Sequence, residues 1–364
     1  MENQCFLELL QMAAGTRDTM TCVPDSEDEW IRLFHLFDGQ ALLGVSFPAV
    51  EKLSQETEIP LVVLLSWENA ARSIQRRNLE HRDAVKSLYR AFIDEGFRCC
   101  ILKGQVSAAL YPRPELRQAG DIDIWVDGTR EKVVEYLRDH FKLHKIRYIH
   151  ADVKVFENIR VEVHFTPSWM FSPLSNRRLQ RWFTSCAPQQ FDNYDDALET
   201  CIPTLSFNGV YMMLHIYRHL LEEGVGLRQF MDYYFLLRHL DDNERNNVVT
   251  DLRRLGMLRF AGAVMYVLKE VFQMESEYLL CQPSPCMGRF LLEEIMISGN
   301  FGQTDPVFSD EKSRKEGIVA HGWRKIKRNL RFFQFCPSEV FWMPLFNTWQ
   351  YFWRKKNGYL YKGR

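Results

Sequence analysis

The sequence predicts an α+β fold: a small mixed or antiparallel sheet with helices packed on it, flanked by N-terminal helices and a mostly helical C-terminal domain. Three observations predict it. Apolar residues recur at helical spacing through the first 80 residues and again beyond residue 170. Between these stretches lie short runs that alternate at period two. Hydrophobic residues make up 46% and charged residues 26% of the 364, enough apolar surface for a packed core and far from a disordered composition. The expected organisation is a helical N-terminal region (1–80), a core carrying the sheet (81–170), a helical domain (171–300) and a basic, aromatic C-terminal region (301–364).

The elements follow in order. Glu27 to Phe37 places Trp30, Leu33, Phe34 and Phe37 at i, i+3, i+4 and i+7, an amphipathic helix. His81 to Glu95 puts Val85, Leu88, Phe92 and Ile93 on one face and stops before Gly96. Arg98 to Leu102 reads as a buried strand, followed by a Lys103-Gly104 turn and a small helix, Gln105 to Leu110, that Tyr111-Pro112 ends. Asp121 to Val126 alternates, so Ile122, Ile124 and Val126 share one face and Asp121 and Asp123 the other. Asp127-Gly128 turns into a helix from about Thr129 to His140. Asp152 to Phe156 and Arg160 to Phe165 read as a hairpin, with Glu162 and His164 alternating with Val161, Val163 and Phe165. Beyond Pro167, helices are expected over Gly209–Leu221, Leu227–Leu240, Glu244–Leu255, Phe260–Phe272 and Phe290–Ile297.

Composition excludes several classes. Lys+Arg 46 against Asp+Glu 47 leaves a net charge of -1, so no global field draws the chain to nucleic acid or acidic lipid. The longest apolar runs, such as Ile59 to Trp67, fall short of the roughly 20 residues of a membrane span. The N-terminus lacks the basic start and long apolar stretch of a signal peptide. The nine cysteines show no paired zinc spacing, and reduced thiols in a cytoplasm are expected.

The chemistry concentrates in Gly120-Asp121-Ile122-Asp123. Two carboxylates at i and i+2 on one strand, with a third on a neighbouring strand, suit a hard divalent cation that takes oxygen ligands and is completed by substrate phosphates. Asp121, Asp123 and Glu162 are the expected set, with Asp152 the rival for third place. Mg²⁺ is the expected ion and Mn²⁺ the alternative; two such ions about 3.5–4 Å apart serve in-line displacement at phosphorus. Lys103 supplies a point charge for phosphate, the amides after Gly104, Gln105 included, point to the same ligand, and Arg117 is a further candidate.

The series Leu102-Lys103-Gly104, Tyr111-Pro112, Arg117 and Gly120-Asp121-Ile122-Asp123 resembles the DNA polymerase β-like nucleotidyltransferase superfamily. More narrowly, it is similar to a bacterial family described as uncharacterised nucleotidyltransferase, over about residues 60 to 300. The resemblance implies an enzyme of class EC 2.7.7 that binds an NTP and moves its nucleoside monophosphate to a hydroxyl-bearing acceptor, a small molecule, an RNA or a protein, with release of pyrophosphate. It implies catalytic and metal roles for Asp121, Asp123 and Glu162, and nucleotide binding by Lys103, Gly104, Gln105, Arg117, Gly120 and Arg228. The superfamily's Gly-Ser or Gly-Gly turn is here Lys103-Gly104-Gln105, without the serine.

Other groups admit two readings. His215 with His219, and Arg228 with Asp232, sit one helical turn apart; they line the nucleotide or acceptor pocket, or tie helices together with Arg228 and Asp232 as an i,i+4 pair. His164 reads as structural or as a polar neighbour of the site. The tail joins a basic stretch (Arg324, Lys325, Lys327, Arg328, Arg331) to an aromatic one (Phe341, Trp342, Phe346, Trp349, Tyr351, Phe352, Trp353); stacking on nucleic acid, a membrane interface and plain core are the alternatives, and Pro344 argues against an amphipathic helix there. Two other functions compete with the first: a catalytically inactive nucleotide-binding or protein-interaction module, and a toxin-like transferase that modifies tRNA or protein. Two desolvated like charges at Asp121 and Asp123 argue against the inactive module.

Overall fold

In the computed structural model, which describes residues 2–300 and 326–359, the alternating segments pair into a five-stranded sheet and the periodic segments form helices. The strands are β1 (Cys99–Ile101), β2 (Ile122–Val126), β3 (Lys142–Ile146), β4 (His150–Lys154) and β5 (Val161–His164), in the spatial order β1-β2-β5-β4-β3. β2 and β5 run parallel, while β1 with β2, β4 with β5 and β3 with β4 are antiparallel. The fold is therefore α+β with a mixed sheet, as the sequence predicts. A parallel pair requires a long crossover, and the chain supplies it with the helix Arg130–His140 and the β3–β4 hairpin.

One face of the sheet is apolar. Ile122 and Ile124 stand opposite Val161 and Val163, and these opposite Val153 and Ala151, all buried. Such rows, β-branched apart from Ala151, are the ordinary adhesive of a sheet. The Arg130–His140 helix starts at Thr129, whose side chain accepts from the Lys132 amide, and buries Val133, Val134 and Leu137. The other face carries Asp123, Trp125, Glu162, His164, Asp152 and His150, because the register sets these opposite one another. Trp125 closes one end of that face: its ring lies 4.6 Å from Phe191 and 5.8 Å from Phe207.

The chain divides into two compact units that interleave in sequence. One comprises Met1–Leu79, Leu110–Gln118 and His215–Arg324; the other comprises Glu80–Ala109, Ala119–Leu214 and Lys325–Arg364, each as far as it is described. The first unit is helical and holds Glu2–Ala14, Glu27–Gly39, Leu43–Leu53, Leu227–His239, Asp242–Leu255, Leu258–Phe272 and Pro285–Ser298. The second holds the sheet with Pro173–Asp192 and Pro337–Lys356. Each unit collects segments distant in sequence, as when Arg117 and Asp232 meet within the first unit.

Three local expectations change. The helix expected from His81 starts at Leu61 and runs to Asp94, because no Gly or Pro falls between Pro60 and Gly96. Pro344 does not prevent a helix: Pro337–Lys356 continues through it, losing one backbone donor, while Thr348 donates its hydroxyl to the Pro344 carbonyl at 2.8 Å. Cys5 and Cys22 are joined in a disulfide, against the expected nine reduced thiols; the other seven cysteines form no disulfide among the described residues. Arg324 and Lys325 of the basic stretch lie outside the described residues. Among the described residues, no helix is long and apolar enough to cross a membrane.

Candidate active site

β2 places Asp123 at its second residue and Asp121 just before its start, two positions apart and so on one face. The parallel partner β5 sets Glu162 directly opposite Asp123, and β4 sets Asp152 opposite Glu162 one strand further on. Three carboxylates, Asp123, Glu162 and Asp152, thus form a row across neighbouring strands, with Asp121 beside its first member. Lys103 reaches in from the turn after β1, its Nζ 3.0 Å from Asp123 Oδ1. Leu102 N–H donates to the Asp123 carbonyl at 2.9 Å, which pins the start of that turn against β2.

Gly104 makes the turn possible. Its φ of +69° lies where side-chain-bearing residues are strained, and a Cβ there would stand 3.6 Å from the Asp121 carbonyl oxygen. The turn opens the helix Gln105–Ala108, a single turn long. Lys103, Gly104, Gln105 and Gly120 are half-buried, and all belong to the second unit.

Burial and charge polarise this group. Asp123 is 2% exposed; burial pushes its carboxyl up, but Lys103 and the hydrogen bond with His164 outweigh burial and hold it below the usual carboxylate range. His164 Nε2 lies 3.0 Å from Asp123 Oδ1 and 3.4 Å from Glu162 Oε2. Burial alone would lower that imidazole, yet the two carboxylates raise it to about 9. Glu162 is likewise held low, against its burial, by His150, His164 and Lys103. Asp121 goes the other way: burial first, then the charges of Asp123 and Glu162, raise it to about 6. The carboxylate cluster is therefore short of positive charge at Asp121, and its donors there are all hard oxygens. That chemistry fits a divalent cation of the Mg²⁺ kind.

A family model described as uncharacterised nucleotidyltransferase matches residues 26–273, more than half of the chain. The chain belongs to this family. As a nucleotidyltransferase it is a transferase acting on nucleotides, which agrees with acidic side chains gathered around a lysine. No curated protein matches the chain.

Two further expected residues of this nucleotidyltransferase belong to the other unit. Arg117 and Arg228 belong to the first unit. There Arg117 is buried and donates through Nε and one terminal nitrogen to the two oxygens of Asp232, at 2.6 and 2.7 Å. Asp232 also accepts from the Tyr111 hydroxyl at 2.6 Å. Arg228, one helical turn from Asp232, donates to the Gln118 carbonyl at 3.0 Å. The rings of His215 and His219 stack edge to face, centroids 4.2 Å apart.

The sequence reading missed His150. It is buried on β4, with Nε2 3.2 Å from Asp152 Oδ1 and Nδ1 3.3 Å from Glu162 Oε2. The signal was present: His150-Ala151-Asp152-Val153-Lys154 alternates as cleanly as β5 does, two residues upstream of the expected strand start.

Proposed function

We propose that this nucleotidyltransferase moves a nucleoside monophosphate from an NTP to a hydroxyl-bearing acceptor, releasing pyrophosphate, at Asp121, Asp123 and Glu162. The observation that carries the reading is the register that sets Glu162 opposite Asp123 on parallel strands, with Lys103 Nζ 3.0 Å from the same aspartate. In the reaction the acceptor oxygen bonds to the α-phosphorus, its proton passes to a base or water, and the bond to the bridging oxygen breaks as pyrophosphate leaves. Asp121, Asp123 and Glu162 would hold Mg²⁺, or Mn²⁺ in its place. The ion would supply charge neutralisation on the phosphates and a more acidic acceptor hydroxyl.

The chain's own groups divide the remaining work. Lys103 offers its ammonium to the phosphates as they approach, and the Gly104-Gln105 and Gly120 backbone lines the same approach. Arg117 and Arg228 enter the proposal as nucleotide-binding residues on the resemblance alone. The acceptor is a small molecule, an RNA or a protein. We place the reaction in the cytoplasm, where NTPs are abundant; the seven cysteines outside the disulfide agree with that, and the Cys5–Cys22 disulfide argues for a more oxidising setting.

The test compares NTPs labelled at the α- or the γ-phosphate in an extract supplemented with the protein and Mg²⁺. Transfer of α-label with γ-label recovered in pyrophosphate supports the reading. Transfer of γ-label would identify a phosphotransferase and overturn it.

A further inference from the structure

Two buried imidazoles beside the carboxylates have no part in the reaction above. His150 and His164 face each other across the antiparallel β4–β5 pair, 6% and 3% exposed, with ring centroids 5.1 Å apart. Glu162 Oε2 sits between them, 3.3 Å from His150 Nδ1 and 3.4 Å from His164 Nε2. One donor atom from each of the three residues lies within 4.8 Å of the others. Among the described residues, no well-aligned hydrogen bond reaches either buried nitrogen of His150 or His164 Nδ1; Asp152 and Glu162 meet His150 through close charge contacts only. Buried polar atoms are almost always satisfied, so His150 Nδ1, buried against Glu162 Oε2 without a well-aligned hydrogen bond, marks a place for a missing ligand.

We propose that His150, Glu162 and His164 form a second, chemically distinct cation site that takes a transition-metal dication of the Zn²⁺ kind. Bond lengths of 2.0–2.1 Å to nitrogen and oxygen give a tetrahedron whose edges are about 3.3–3.4 Å. The two distances from Glu162 Oε2 to the imidazoles match that edge. Imidazole favours such ions, whereas Mg²⁺ favours an all-oxygen shell like that of the aspartates. Asp152 completes the arrangement from behind: its Oδ1 lies 3.2 Å from His150 Nε2, the position of a carboxylate that orients a metal-bound histidine through its far nitrogen. An ion on His164 Nε2 replaces the contact of that nitrogen with Asp123 Oδ1, and Lys103 Nζ, also 3.0 Å from that oxygen, stays on it. Three protein ligands leave a fourth position for water or a substrate oxygen.

The inference shares Glu162 with the proposed active site but does not depend on nucleotidyl transfer, and its test contains no nucleotide. The full-length chain, stripped with EDTA, is titrated with Co²⁺ and followed by visible absorption, then with Zn²⁺ against a chromophoric chelator, both in millimolar Mg²⁺. One ion per chain is expected, with the intense absorption of four-coordinate Co²⁺. His150→Gln should weaken binding at least 100-fold with the circular dichroism spectrum retained. Asp152→Asn, which keeps both imidazoles, should weaken it about 10- to 100-fold. Asp121→Asn should leave it within a few-fold. Absence of Co²⁺ and Zn²⁺ binding, displacement by millimolar Mg²⁺, or binding equal in wild type and His150→Gln would overturn the site. So would loss in Asp121→Asn alone, which would put the ion on the aspartates.

Discussion

Replacing Arg117 with Met should destabilise the first unit by about 3–5 kcal/mol, the usual cost of stripping one partner from a buried ion pair. The magnitude follows from the geometry. Arg117 and Asp232 side chains are 7% and 6% exposed, and the guanidinium donates to both carboxylate oxygens at 2.6 and 2.7 Å. With Arg117 gone, Asp232 keeps the Tyr111 hydroxyl, one neutral donor to a buried charge. Arg117→Met combined with Asp232→Leu removes both charges together and should cost less than the sum of the single changes, because no uncompensated charge remains. Tyr111→Phe keeps the ring contact with Phe235, 4.4 Å between centroids, and should cost about 1.5–3 kcal/mol for one bond to a charged acceptor. Urea unfolding, with hydrogen exchange of the Leu227–His239 amides as the local reporter, measures each term. A cost below about 1 kcal/mol for Arg117→Met, or strict additivity in the double variant, would refute the clamp.

Three further outcomes are expected. Glu8 accepts from the Thr21 hydroxyl and from the Thr21 and Cys22 amides; burial pushes its carboxyl up, but these bonds outweigh burial and hold it at about 2 against 4.5 unfolded. Because the folded value is depressed, its stabilisation, at most about 3 kcal/mol, is complete above pH 4.5 and fades as pH falls toward 2; the acid unfolding of Glu8→Gln should lack that component. Gly44→Ala would drive a Cβ into the Leu116 carbonyl oxygen, so the 110–118 segment must move; calorimetry should show a lowered Tm, and an unchanged Tm would contradict the close approach. Trp125→Ala empties a site ringed by Phe183, Phe191 and Phe207 and should cost about 3–5 kcal/mol in urea unfolding, with a loss under about 1 kcal/mol counting against that packing.

Much of the fold was legible because its signals are local. Period-two alternation located β2 to within one residue, and the helices Leu227–His239 and Arg130–His140 followed from their spacing. β3 escaped because it is an edge strand whose Lys142 and His144 are exposed, so its apolar half never forms a continuous signal. β4 was placed two residues late, and that shift hid His150. Pairing lay beyond local reading: nothing in Val161-Glu162-Val163-His164 states that it runs parallel to β2, yet that register sets Glu162 beside Asp123 and Asp152 beyond it. The Arg117–Asp232 clamp spans 115 positions, whereas spacing alone pointed to Arg228, one turn from the aspartate.

The most direct measurement of the central claim is nucleotidyl transfer from α-labelled NTP with Mg²⁺, comparing wild type with the Asp121→Asn/Asp123→Asn variant. Labelled acceptor is expected with wild type, none after EDTA treatment, and none with the double variant while its circular dichroism spectrum is unchanged. Transfer that survives both aspartate substitutions would contradict it.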